Sequence, residues 1–206
     1  MVGLGNPGVE FEGTRHNLGA EVAATLVDRH QGRLRLEKGL QATAAEVRVE
    51  GRRVLVAVPR TYMNESGQAV VRLVRRSGIE VDEGAASGDA APRGPADPGL
   101  ATRLIIVHDE LDLPSGRVKV KSGGGTAGNN GLKSIDAHLH TNGYLRVRLG
   151  IGKPPGRQAG ADYVLKRPGS AERSVLLAAI ELAADAVETI VSRGVDAAMN
   201  AVNTAG

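Results

Sequence analysis

One histidine, in Thr14-Arg15-His16-Asn17, stands where an imidazole could move a proton near neutral pH. It lies just ahead of a helical pattern and outside any regular apolar stripe. That setting suits a working base; a structural histidine is the alternative. His30, His138 and His140 read as structural or exposed, and the spacing of the last two does not suit a metal pair on one helix face. A base also needs a group to orient it. His108-Asp109-Glu110-Leu111-Asp112-Leu113-Pro114 follows an apolar run. In open α/β sheets, sites form outside the carboxyl ends of strands, so Asp109 is the candidate partner. A turn or helix cap by Asp109 or Asp112 is the competing reading. A metal cluster of His108, Asp109 and Asp112 is compatible with composition but lacks a second group of ligands.

Three polar loops could complete a site. Gly3-Leu4-Gly5-Asn6-Pro7-Gly8 satisfies the G-x-G-x-x-G pattern, yet a dinucleotide fingerprint needs a helix opening inside the motif. Here Pro7 removes one N–H donor and the helical pattern starts only near Asn17. A tight turn holding the Asn6 side chain at a strand end is the better reading. Pro59-Arg60-Thr61-Tyr62-Met63-Asn64-Glu65-Ser66-Gly67 also joins a strand to a helix, and its Asn64 is either a helix cap or a ligand-binding amide. The run Gly123 to Gly131, containing Asn129 and Asn130, lets backbone approach a ligand closely. It lacks the Gly-Lys-Ser/Thr ending of a triphosphate loop.

The elements that must position these residues alternate between strand and helix patterns, which predicts an α/β class. Residues 1–4 form a strand stub, expected to be short because the chain opens two residues before Gly3. Leu18, Val22 and Leu26 mark a helix over 17–29, and 43–50 with 53–58 read as a hairpin. A helix spans about 66–76. Leu104 to Val107 is continuously apolar, as in a strand covered on both faces. Arg117-Val118-Lys119-Val120-Lys121 and Leu145-Arg146-Val147-Arg148-Leu149 alternate apolar and cationic positions. Apolar residues at 175, 179, 182, 186 and 190 predict a long C-terminal helix packed on the core. Residues 82–102 mix Gly, Pro, Ala and Asp without periodicity and are expected to be a disordered surface insertion in a single domain spanning 1–206.

Composition removes whole classes of function. The 206 residues contain no Cys, so disulfides, thiolate zinc sites and a Cys nucleophile are excluded. Only Phe11, Tyr62, Tyr144 and Tyr163 are aromatic, too few for a platform of stacked bases. There is no membrane-length apolar run and no secretory pattern, so a cytoplasmic chain is expected. The formal charge of +3 hides an asymmetry. Between 117 and 157 the cations Arg117, Lys119, Lys121, Lys133, Arg146, Arg148, Lys153 and Arg157 face one acid, Asp136. That stretch is either a solvated sheet face or a phosphate-binding surface.

Taken together, Val2 to Gly8, Thr14 to Asn17, Thr61 to Gly67, His108 to Pro114 and Gly123 to Lys133 resemble bacterial peptidyl-tRNA hydrolase. Order and spacing agree across almost the whole chain, apart from the insertion. The resemblance implies one three-layer α/β/α domain with a twisted mixed sheet. It implies hydrolysis of the ester between a peptide, or N-blocked aminoacyl group, and the 3′ ribose of tRNA. No metal or cofactor is implied, and the partner is tRNA, met by a monomer in the cytoplasm. In the same terms, His16 matches the catalytic base, Asp109 the acid that polarises it, and Asn6 the amide that separates N-blocked from free aminoacyl substrates. Asn64 and Asn130 match substrate-binding amides, Tyr62 and Met63 the cleft wall, and Lys121 with Arg148 a clamp on the tRNA 5′ phosphate. Phe11 stands where many members have Tyr, losing a hydroxyl contact to tRNA, and Asn129 where a His is common. A catalytically silent RNA-binding relative is the alternative; it would keep the basic strands and lose the His–Asp pair.

Overall fold

The structure, a computed structural model, describes residues 1–79, 98–154, 156 and 159–204. Its strands are β1 (Val2–Gly3), β2 (Arg35–Glu37), β3 (Ala42–Val49), β4 (Arg52–Pro59), β5 (Ile105–Glu110), β6 (Val118–Ser122) and β7 (Leu145–Gly150). They form one mixed sheet in the order β2-β3-β4-β1-β5-β7-β6. β1 runs parallel to both β4 and β5, and β5 parallel to β7. The remaining pairings are antiparallel. The α-helices are α1 (Leu18–Arg29), α2 (Ser66–Arg76), α3 (Pro98–Arg103), α4 (Asn130–Leu139), α5 (Gly160–Val164), α6 (Ser170–Arg193) and α7 (Val195–Asn203). Among the described residues no helix is long and apolar enough to cross a membrane.

Side-chain alternation along the central strands divides the core in two. Ile105 and Val107 of β5 pack with Leu18, Val22 and Leu26 of α1 and with Leu176, Ile180 and Val187 of α6. Ile106, on the opposite face, packs with Val70 and Leu73 of α2, Leu100 of α3, and Leu132 and Ile135 of α4. A strand whose successive residues are all apolar is one that helices cover on both sides. The three-layer α/β/α arrangement follows.

Four expectations need correction. The sequence placed His108, Asp109 and Glu110 after the strand, whereas β5 runs through them, in register with Arg148, Leu149 and Gly150 of β7. They remain buried because each polar side chain finds a partner there, as described below. Of the stripe at 175, 179, 182, 186 and 190, Ala179, Ala186 and Ile190 are buried as expected, whereas Val175 and Leu182 are exposed and Leu176, Ile180, Ala183 and Val187 complete the contact. The buried face mixes its large residues with Ala179, Ala183, Ala184 and Ala186. Arg146 is not on a cationic surface but is 2 % exposed, stacked 4.7 Å from the Tyr144 ring centroid. Its Nη1 donates to Gly125 O (2.7 Å), so α4 and the glycine-rich loop close over it. Residues 98–102 of the expected insertion lie in α3, with Leu100 buried; the rest of it, 82–97, falls outside the described residues.

Candidate active site

Two glycines explain why His16 reaches the middle of the sheet. A Cβ on Gly19 would lie 2.2 Å from Val107 O, and one on Gly3 would lie 2.0 Å from Gly19 O. The first turn of α1 therefore rests directly on the backbones of β1 and β5. Leu4 N–H donates to Val107 O and Ala20 N–H to Leu4 O, both at 2.9 Å. The 3-10 turn Arg15–Asn17, immediately ahead of α1, is thereby delivered to the carboxyl ends of β1 and β5. These strands flank the point where the chain leaves β1 for one side of the sheet and later returns on the other, the place where open α/β sheets form crevices.

There, His16 Nδ1 lies 2.9 Å from Asp109 Oδ1 and 3.0 Å from Oδ2, across 93 positions of chain. An ionised carboxylate only accepts, so Nδ1 carries the hydrogen and Nε2 keeps its lone pair. Both side chains are buried, Asp109 almost completely. Burial pulls the imidazole pKa down, but the charge of Asp109 and its hydrogen bond outweigh burial and leave it above the ordinary value. His108, one residue earlier, donates Nδ1–H to the Asp109 carbonyl (2.7 Å), and burial holds its pKa down. The two neighbouring imidazoles are therefore shifted in opposite directions.

Neighbouring groups hold this pair in place. Asn129 caps α4, its Oδ1 accepting from Gly131 N–H (2.9 Å) and Leu132 N–H (3.1 Å). Its Nδ2 points back to Asp109 Oδ1 at 3.5 Å. Sequence reading treated Asn129 only as a substitution. Yet an Asn followed by Leu132, Ile135 and Leu139 at helical spacing is an N-cap signal. Glu110 is also buried; its Oε2 accepts from Arg148 Nη2 (2.9 Å) and Nε (3.1 Å), and its Oε1 from Asp112 N–H (3.1 Å). A cavity of about 270 Å³ opens over His16, Asp109, Glu110 and Leu111. Residues 127–130, including Asn129 and Asn130, form one wall, and Gly160, Ala161 and Val164 of α5 the other.

Asn6 stands beside this cavity rather than in its lining. Its N–H donates to Asn17 Oδ1 (2.9 Å), and Asn17 Nδ2 donates back to Asn6 O (3.0 Å). Asn6 Oδ1 accepts from Met63 N–H (2.8 Å), which fixes the amide with its NH₂ outward. The turn around Gly5 therefore does hold Asn6 at the end of β1, and α1 begins well outside the glycine motif. Met63 is 4 % exposed, part of the core behind Asn6 rather than a free wall. Asn64 is exposed in the 3-10 turn Met63–Glu65, and α2 begins without a side-chain cap, so the cap alternative is not realised. Tyr62 is exposed, Phe11 half-buried in a 3-10 turn, and neither lines the cavity. Asn130 is exposed at its rim. Lys121 is exposed, lying across Gly124, and register places it opposite Arg146, with Lys119 opposite Arg148.

The family model for peptidyl-tRNA hydrolase matches residues 1–85 and 98–206, passing over 86–97. A peptidyl-tRNA hydrolase of Nocardia farcinica is 46 % identical over 200 residues, covering 97 % of this chain and 93 % of that protein. One from Rhodococcus erythropolis is also 46 % identical, with 97 % and 95 % covered. The crystal structure of peptidyl-tRNA hydrolase from Acinetobacter baumannii superposes with a TM-score of 0.83 at 33 % identity, covering 98 % of this chain and 93 % of the other. With its fold and its full length so matched, the chain belongs to the peptidyl-tRNA hydrolase family.

Proposed function

We propose that His16, held and polarised by Asp109, is the general base with which this peptidyl-tRNA hydrolase cleaves the ester between a peptide and the 3′ ribose of tRNA. The observation that carries this is the contact of His16 Nδ1 with both carboxylate oxygens of Asp109. A water in the cavity gives a proton to Nε2 as its oxygen attacks the ester carbonyl. The imidazolium then returns the proton to the departing ribose oxygen, while Asp109 stays ionised throughout. An ester is activated enough for this route to need neither a covalent intermediate nor a metal.

Specificity falls to neutral amides. Asn6 presents its fixed NH₂ beside the base, where it reads the acylated amino group of an N-blocked substrate. Asn130 and Asn64 bind peptide backbone, which leaves side chains unread. A well-placed amide donor on the developing oxyanion is worth about 10²–10³ in rate. Met63 supports Asn6 from behind, and Tyr62 with Phe11 offers ring surface to the acceptor end of tRNA. Lys121, with Arg148, meets the 5′ phosphate. We propose that the chain acts as a monomer, in the cytoplasm, where its substrate arises.

His16→Ala is expected to lower kcat on N-acetyl-aminoacyl-tRNA about 10²–10⁴-fold, while tRNA affinity stays unchanged and free aminoacyl-tRNA remains a poor substrate. An active His16→Ala enzyme would refute the assignment of the base. A silent RNA-binding relative would have no reason to keep the His16–Asp109 contact, and an unsubstituted chain without activity would favour it.

A further inference from the structure

We propose that Arg15 is a positioning residue that fixes α5, one wall of the cleft, against the base. This rests on the reading of His16 given above.

Arg15 and His16 are consecutive residues of one 3-10 turn, and their side chains go to different places. His16 turns to Asp109 and the cavity. Arg15 is buried with it, and its guanidinium spends its hydrogen-bonding capacity on the segment that carries α5 and on the helix after it. Nε donates to Glu172 Oε1 (2.8 Å) and Nη2 to Oε2, the bidentate geometry that suits guanidinium to carboxylate. Nη1 donates to Lys166 O (3.0 Å) and Tyr163 O (3.4 Å). The guanidinium carbon lies 4.0 Å from the Tyr163 ring centroid. Glu172 lies in the first turn of α6, where the helix dipole favours an anion.

α5 needs such an anchor. It has five residues, of which only Val164 is buried, so it has little apolar hold of its own. Besides the guanidinium, the segment is held by Tyr163 Oη–H, which donates to Ile151 O (2.9 Å), by the Arg15 N–H to Lys166 O (3.3 Å), and by Arg167 Nε to Glu12 O (2.8 Å). One dipeptide thus carries both the base and a main attachment of the α5 wall. Loss of the guanidinium removes four hydrogen bonds and the ring stack, so Gly160, Ala161 and Val164 move more freely relative to His16, while the His16–Asp109 contact stays intact.

The test is Arg15→Gln, with Arg15→Lys beside it, measured on N-acetyl-aminoacyl-tRNA. Expected are a KM raised about tenfold, an unmoved pH midpoint of kcat, and faster amide hydrogen exchange at 160–166 with β5 as protected as before. Lysine, which cannot form the bidentate pair or the stack, should not restore KM. If Arg15→Gln does not fold, Glu172→Gln reads the same quantities, with the same expected direction. The proposal is overturned if KM is unchanged although α5 exchanges faster, if exchange at α5 is unchanged, or if the pH midpoint moves. A merely structural Arg15 would lower Tm without moving KM. The unsubstituted chain is the control: its inactivity would sink the hydrolase reading, whereas an active chain indifferent to Arg15 sinks only the wall.

Discussion

At the scale of residues, the balance at His16 makes a pH prediction with a definite sign. Burial lowers the imidazole pKa and the Asp109 carboxylate raises it by more. The base must be neutral to act, so kcat/KM should rise with pH through a midpoint above about 6.5. Asp109→Asn removes the charge and leaves burial, so the midpoint should fall below that value, while the rate drops about 10²–10⁴-fold as the ring loses its orientation. A midpoint that does not move would mean that Asp109 does not act on the titrating group. The same raised pKa adds stability that is fully present below the unfolded pKa and is lost as pH rises through the folded one. Denaturation against pH, compared between the chain and Asp109→Asn, measures it. The meeting of His16 with Asp109, and the holding of Asn6 at the end of β1, were legible from motif and strand-end position. Arg15 and Glu110 were not, since a cation and an acid declare a role only through partners far along the chain, whereas the cap formed by Asn129 is local and only its reach to Asp109 is not.

Among elements, the seam between α1 and the two central strands decides whether the site exists. Gly19→Ala would press a methyl into the Val107 carbonyl, 2.2 Å away, with only backbone there to yield. Overpacking of this kind costs about 1–3 kcal/mol, and here it also lifts the Arg15–Asn17 turn off β5. Urea denaturation should show the loss, and activity per folded molecule should fall as well. Unchanged activity would mean that the turn is positioned by something else. The N-cap offers a milder test: Asn129→Ala should cost about 1 kcal/mol and withdraw the amide near Asp109. Strand and helix identities were readable from period alone for α1, α2, β3, β4 and β6. The polar end of β5 was not, because His108, Asp109 and Glu110 look like loop until the partners that bury them are known. On α6 the expected Ala179, Ala186 and Ile190 are buried, but Val175 and Leu182 are exposed, because apolar residues surround much of this helix and the pattern does not single out one face.

Over the whole molecule, the cations of the C-terminal half divide into kinds that composition cannot separate. Arg146 is interior and Arg148 is half committed to the buried Glu110, whereas Lys121 is exposed. Lys121→Ala should leave stability unchanged and flatten the dependence of log KM on log salt by about 1. Arg148→Ala should do this too, and in addition cost about 1–3 kcal/mol by leaving Glu110 without its partner. Thermal melts beside salt titrations separate the two, and equal melts would mean that the Glu110 pair adds nothing. One further consequence follows from the sheet order. β1, which leads to the imidazole, lies between β4 and β5, and the carboxylate arrives only with β5, 93 positions later. A nascent chain that ends before Asp109 carries a histidine without its acid. During its own translation the protein is thus linked to a molecule of its substrate class while still lacking Asp109, so on the mechanism proposed above it cannot act until β5 has docked beside β1.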